Sequence, residues 1–160
     1  MPRSSASVSV FGPDYRALSL GIIVAVSLVG FEAMAVATIL PTAARELGGL
    51  GAYGWAFSAF MLANLVGTMA AGQTADERDA RLPLLLAAGS MALGLLMGAF
   101  TPSWPILLIG RAFQGLGGGA LLTLGYLAIR RGYPDRFRPR MMAVVSSSWI
   151  LPSLLGPLAA

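Results

Sequence analysis

Residues 107–122 read LLIGRAFQGLGGGALL. The run is apolar enough for a bilayer, yet it holds an arginine, Arg111, and a glutamine, Gln114. One charge at the bilayer centre costs roughly 2.5–3.5 kcal/mol on insertion scales, so a charge kept there points to a partner and a use. Positions three apart share a helix face, which places Arg111 and Gln114 together. Gly115 and Gly118 lie on the same face. A polar face with a near-bare backbone suits a protein-lined cavity better than lipid.

The rest of the chain has the same character. Of its 160 residues 56% are hydrophobic and only 11% are charged. Ordinary soluble domains carry about 25% charged residues. Lys is absent, so all eleven positive charges are Arg. Cys and His are absent too, which excludes disulfides, Cys/His metal sites and Ser-His or Cys-His catalytic pairs. The composition therefore indicates a membrane protein, and the expectation is an all-α bundle of transmembrane helices that is not an enzyme and holds no metal site and no organic cofactor.

Residues 1–17 are polar and irregular, which predicts a loosely ordered tail. Five apolar runs follow, at about 18–40, 53–71, 83–100, 105–129 and 141–160, forming one transmembrane domain over 18–160. At about 1.5 Å per residue the first is roughly 34 Å long and crosses a bilayer. A cleavable signal peptide would have a shorter apolar core and would not carry an acid such as Glu32 within it. The breaks ELGGLGA, GQTADERDARLP, TPSWP and RRGYPDRFRPR carry turn chemistry.

The arginines set the orientation. With the N-terminus inside, the inner segments hold Arg3, Arg16, Arg78, Arg81, Arg130, Arg131, Arg136, Arg138 and Arg140, and the outer loops hold only Arg45. This strong positive-inside bias predicts a multi-pass protein of the cell membrane, plasma or inner, with a cytoplasmic N-terminus. It also explains the net charge of +4 as contact with anionic lipid heads. RRGYPDRFRPR lies between two spans and is not read as a nucleic-acid patch. The fifth run stops on apolar residues with no basic flank, so the chain reads as a fragment, or a truncated product, of something longer.

Small residues mark close helix packing. Ala59, Ala63, Gly67 and Ala71 recur every four residues, Gly94 pairs with Gly98, and Gly115 pairs with Gly119 within a run that also has Gly117 and Gly118. Such stripes let helices approach closely, and helices that slide or rock need the same surfaces.

Depth links the two charges within the spans. Glu32 lies eight residues before Leu40, roughly 12 Å below the outer end, and Arg111 lies six residues after Pro105, roughly 9 Å down. Opposite charges at similar depth can pair and offset much of each other's burial cost. One reading is a structural ion pair, or an arginine reaching for the outer headgroups. The other is a proton switch, because burial favours a neutral carboxyl while a nearby guanidinium favours the carboxylate.

These stretches resemble a known family. LLIGRAFQGLGGGA is similar to a motif of the major facilitator superfamily, with Leu107, Arg111, Gln114, Gly115 and Gly117 in matching places. The Arg of that motif is associated in the family with proton coupling. FEAMAVATILP resembles the first-span signature of the drug:proton antiporters, with Glu32 where Asp is usual and Pro41 as the closing Pro. PSLLGP resembles the start of the fifth-span antiporter motif: Gly156 and Pro157 match its Gly-Pro pair, whereas Pro152 and Ala160 stand where Gly is usual. In the loop after the second span, Gly72, Ala75, Asp76 and Arg81 fit the family pattern; Thr74, Glu77, Asp79 and Ala80 do not. A plain solvated charge run is the alternative for DERDAR.

The resemblance implies a twelve- or fourteen-span helical transporter whose two halves rock around a central site, with this chain as a partial N-terminal half. It implies a proton-coupled exporter of small amphipathic compounds, with the proton as coupling ion. Glu32 would carry the proton or meet a cationic compound, Arg111 would tune it, and Gln114 would bind water, substrate or a neighbouring helix. Gly72, Asp76 and Arg81 would form the inner gating loop. Phe31, Met34, Phe113 and Tyr126 would line an adaptable pocket, or simply pack the core. The expected partners are the substrate, membrane lipids and the missing C-terminal spans, with no nucleic acid. The alternatives are a short-chain oligomeric multidrug exporter and a non-transport scaffold or regulatory module.

Overall fold

The computed structural model describes residues 10–74 and 81–150, and every regular element among them is helical. They are α1 (Arg16–Glu46), a 3-10 turn at Leu50–Ala52, α2 (Tyr53–Thr74), α3 (Arg81–Ala99), α4 (Trp104–Gly132) and α5 (Arg138–Ser147). Four segments, Arg16–Glu46, Leu50–Thr74, Arg81–Ala99 and Trp104–Gly132, are long and apolar enough to cross a membrane. The expected fifth run is helical up to Ser147, and positions 151–160, which include Pro152, Gly156 and Pro157, lie outside the described residues.

Helix ends follow local chemistry. α1 runs through Pro41 to Glu46, six residues past its expected end. Pro removes one helical donor and disfavours the interior of a helix, but membrane helices tolerate it where other groups adjust. Nearby, Thr38 Oγ1 donates back to the Met34 carbonyl at 3.0 Å. α1 stops where Gly48 takes φ +68°, a conformation suited to glycine, and the Gly49 amide returns to the Ala44 carbonyl at 2.7 Å. Pro105 sits in the first turn of α4, where its missing N–H costs nothing.

α4 is the hub. It packs most closely on α2 and α3 and much less on α1. Its glycines set those distances. A Cβ on Gly115 would run into the Phe60 carbonyl of α2, and one on Gly119 into the Asn64 carbonyl. On another flank, a Cβ on Gly117 would meet the Met91 amide at 2.5 Å and the Ala87 carbonyl at 2.6 Å, both of α3. Gly118 faces Val29 of α1 at 3.7 Å, an ordinary contact. Successive residues turn about 100° on a helix, so the Gly117–Gly119 run addresses three neighbours in turn.

The stripe expected on α2 is met only in part. Gly67 and Ala71 are buried, but Ala59 and Ala63 are half-exposed, and the upper contact line passes through Ala56 and Phe60. A spacing of four drifts around a helix of 3.6 residues per turn, so four small residues at that spacing do not stay on one seam. Within residues 10–15, expected as loose tail, Val10 is buried and Tyr15 stacks on Tyr133 at 5.1 Å, whereas Phe11, Pro13 and Asp14 are exposed.

Candidate functional site

The two charges away from the ends of the long helices, Glu32 of α1 and Arg111 of α4, meet. Arg111 Nη1 forms an ion pair with Glu32 Oε1. The same nitrogen donates to Gln114 Oε1 at 2.7 Å, and Gln114 Nε2 donates to the Gly94 carbonyl of α3 at 3.3 Å. A guanidinium can only donate, so the Gln114 amide must turn its oxygen to Arg111 and its nitrogen to α3. Arg111 Nε also reaches the Ala56 carbonyl of α2 at 3.5 Å, and its guanidinium carbon lies 4.3 Å from the Phe60 ring centroid. One arginine thus touches groups from α1, α2 and its own helix, and α3 through Gln114.

All three polar side chains are buried: Glu32 is 2% exposed, Arg111 6% and Gln114 3%. Breaking such a pair by removing one partner typically costs about 3–5 kcal/mol, because the other charge stays buried alone. Gly94 makes the contact possible, since a Cβ there would lie 2.6 Å from the Gln114 amide and the Gly110 carbonyl. The arrangement has one loose end. Glu32 Oε2 is buried and has no hydrogen-bond partner among the described residues.

Glu32, Arg111 and Gln114 border a hollow of about 520 Å³ between α1, α3 and α4. Its other walls are chiefly aliphatic, among them Leu28, Ile39 and Leu95, with Thr101 as a further polar side chain. The four expected pocket residues are not brought together. Phe31 lines the hollow, but Met34 and Phe113 do not. Met34 follows Glu32 by two positions and Phe113 follows Arg111 by two, so each turns about 200° away from the charge. Tyr126 borders a separate cavity with Gly72, Thr123 and Arg130, some 15 residues, or about 22 Å, further along α4.

The residues expected in the inner gating loop are only partly placed. Gly72 is exposed near the end of α2, Arg81 opens α3, and Asp76 between them lies outside the described residues. Gly115 and Gly119 sit where close packing on α2 requires them. Sequence reading missed Phe60 beneath the guanidinium, the Gly94 carbonyl, and Ser90, whose Oγ donates to the Phe113 carbonyl at 2.9 Å. The four-residue step from Ala56 to Phe60 was the one available signal for the first.

Apolar helices long enough to span a bilayer, joined within their length by a buried ion pair, define a multi-pass membrane protein. Residues 22–160 match the Major Facilitator Superfamily, and the chain belongs to that family. Among its relatives, a probable multidrug-efflux transporter of Mycobacterium tuberculosis is 31% identical over 120 residues, covering 75% of this chain and 26% of the relative. The efflux pump dotC of Dothistroma septosporum is 34% identical over 143 residues, covering 89% and 24%. Multidrug resistance protein 3 of Bacillus subtilis is 27% identical over 139 residues, covering 87% and 27%. The chain thus spans about a quarter of the length of the curated relatives it matches. No solved structure matches it significantly.

Proposed function

We propose that this chain is the N-terminal part of a proton-coupled secondary transporter that exports small amphipathic compounds by alternating access. The observation that carries the reading is the buried Glu32, with one oxygen paired to Arg111 and the other without a partner among the described residues. Such a carboxyl group can exchange a proton when water or a cation reaches it, while Arg111 keeps its charge and holds the acid in place. Gln114 fixes the guanidinium to α3. The relatives named for efflux support the export direction.

The coupling ion is the proton, and no metal or organic cofactor takes part. The partners are the transported compound, membrane lipids and further spans of the transporter; nucleic acid is not among them. The site is the cell membrane, with the N-terminus cytoplasmic, a placement the arginine distribution supports. Gly72, Asp76 and Arg81 belong to the inner gating loop. The fifth-span Gly156–Pro157 pair marks the antiporter branch. A short-chain exporter is disfavoured by the family match, which runs to residue 160.

The test is drug-driven proton movement in inverted vesicles carrying the complete transporter. Glu32→Gln keeps the shape of the side chain but removes its titration, and proton movement should fall to background while the protein still reaches the membrane. Undiminished movement would remove Glu32 as the proton carrier.

A further inference from the structure

The inner end of the bundle holds a second buried polar group that the transport reading does not use. Ser19, in the first turn of α1, is 0% exposed, and Tyr133, just beyond α4, is 2% exposed. Their hydroxyls lie 2.6 Å apart, and Ser19 Oγ also donates to the backbone carbonyl of Val10. A serine hydroxyl has one proton. If Val10 receives it, the bond between the hydroxyls takes its proton from Tyr133. The three groups therefore form one directed chain, Tyr133 to Ser19 to Val10.

Apolar packing surrounds that chain. Val10, Ile22 and Val26 cluster with Ile129, Tyr133, Phe137, Met141 and Val145, joining α1, α4 and α5. Tyr15 stacks on Tyr133 and meets Phe137 at 6.2 Å between ring centroids. The turn between α4 and α5 is braced from its other side, where Arg138 Nε donates to the Tyr133 carbonyl at 3.1 Å and the Arg138 guanidinium pairs with Asp135.

We infer that residues 10–15 are a strap that ties the start of α1 to the α4–α5 turn through Ser19 and Tyr133, so that the inner ends of α1, α4 and α5 form one block. Elsewhere α1 meets α4 through apolar packing of Val29 with Leu121 and Leu124, the ion pair, and the contact of Leu40 and Ala44 with Trp104 and Leu107 at the outer end. The inner hold is the one built from buried hydroxyl hydrogen bonds. Removing a partner from a buried hydrogen bond strands the other group, which makes the hold selective for its own chemistry. A movement that opens the inner side must carry the three helix ends together or first draw Val10 from its seat.

The test is backbone hydrogen exchange on the complete resting transporter. It needs no cargo, so its failure is distinct from failure of the transport reading. Ser19→Ala breaks both links, and exchange should rise about tenfold both in residues 10–15 and in the turn at 134–141. Tyr133→Phe breaks one link and should raise exchange in the turn while residues 10–15 keep theirs. Thr38→Ala, which loses only a bond within α1, should leave both segments unchanged. The strap is overturned if Ser19→Ala loosens residues 10–15 without the turn, if neither segment changes, or if Thr38→Ala has the same effect.

Discussion

α4 meets its neighbours in two different ways. Toward α2 and α3 it presents glycines, and backbone lies against backbone along Gly115, Gly117 and Gly119. Toward α1 it presents an ordinary contact at Gly118, apolar contacts toward both ends of the seam and one arginine that holds one glutamate. The first kind of contact is dense and has no alternative partner, so it behaves as a rigid unit. The second adds to apolar packing a charge pair whose strength would change with the protonation of Glu32. The comparison separates scaffold from candidate switch: α2, α3 and α4 form the frame, and on the proposed function the α1–α4 seam is the part that would respond.

Breaking the frame should have the largest effect. Gly115→Leu drives a side chain into the Phe60 carbonyl, where neither helix can yield. The cost should reach or exceed the upper end of the usual 1–3 kcal/mol, roughly, for overpacking. Membrane-inserted, folded protein should be lost, as read by fluorescence-detected size exclusion. Normal folding would mean that α2 and α4 are not in backbone contact.

Breaking the switch should leave folding largely intact and remove activity. Arg111→Lys keeps the charge but loses the planar fork that holds Glu32 and Gln114 together. Transport should fall by at least about tenfold, since misplacing a reacting group by about 1 Å can cost up to 10²-fold. Expression should change little. If expression fell and transport per molecule did not, the ion pair would be structural only.

The smallest effect sharpens the contrast within one glycine run. Gly118→Ala places its methyl in ordinary contact with Val29, Asn64 and Phe60. Thermal stability should be unchanged or higher, by up to about 1 kcal/mol of helix propensity. A large loss would mean that the α1–α4 seam is as tight as the frame.

Much of this was legible in the sequence because two signals were cheap to read. Apolar runs of membrane-spanning length predict helices, and a lone acid and a lone arginine at matching depth predict each other. Arg111, Gln114 and Glu32 were singled out on that basis, and they touch. What could not be read is anything set by rotation about a helix axis over many turns. The drift of the α2 seam from Ala59 to Phe60 is of this kind, as is the divergence of Met34 and Phe113 from the charges they neighbour in sequence. The strap was invisible for another reason. Val10, Ser19 and Tyr133 are ordinary residue types, and they meet only because the chain before α1 folds back on a turn more than a hundred positions away.

The central claim is that Glu32 changes its protonation when a compound is bound, and infrared difference spectroscopy of the complete transporter tests it most directly. Adding a transported cation should change a carboxyl C=O band, and that change should vanish in Glu32→Gln. A spectrum without a carboxyl change, or one that persists unaltered in Glu32→Gln, would contradict the account.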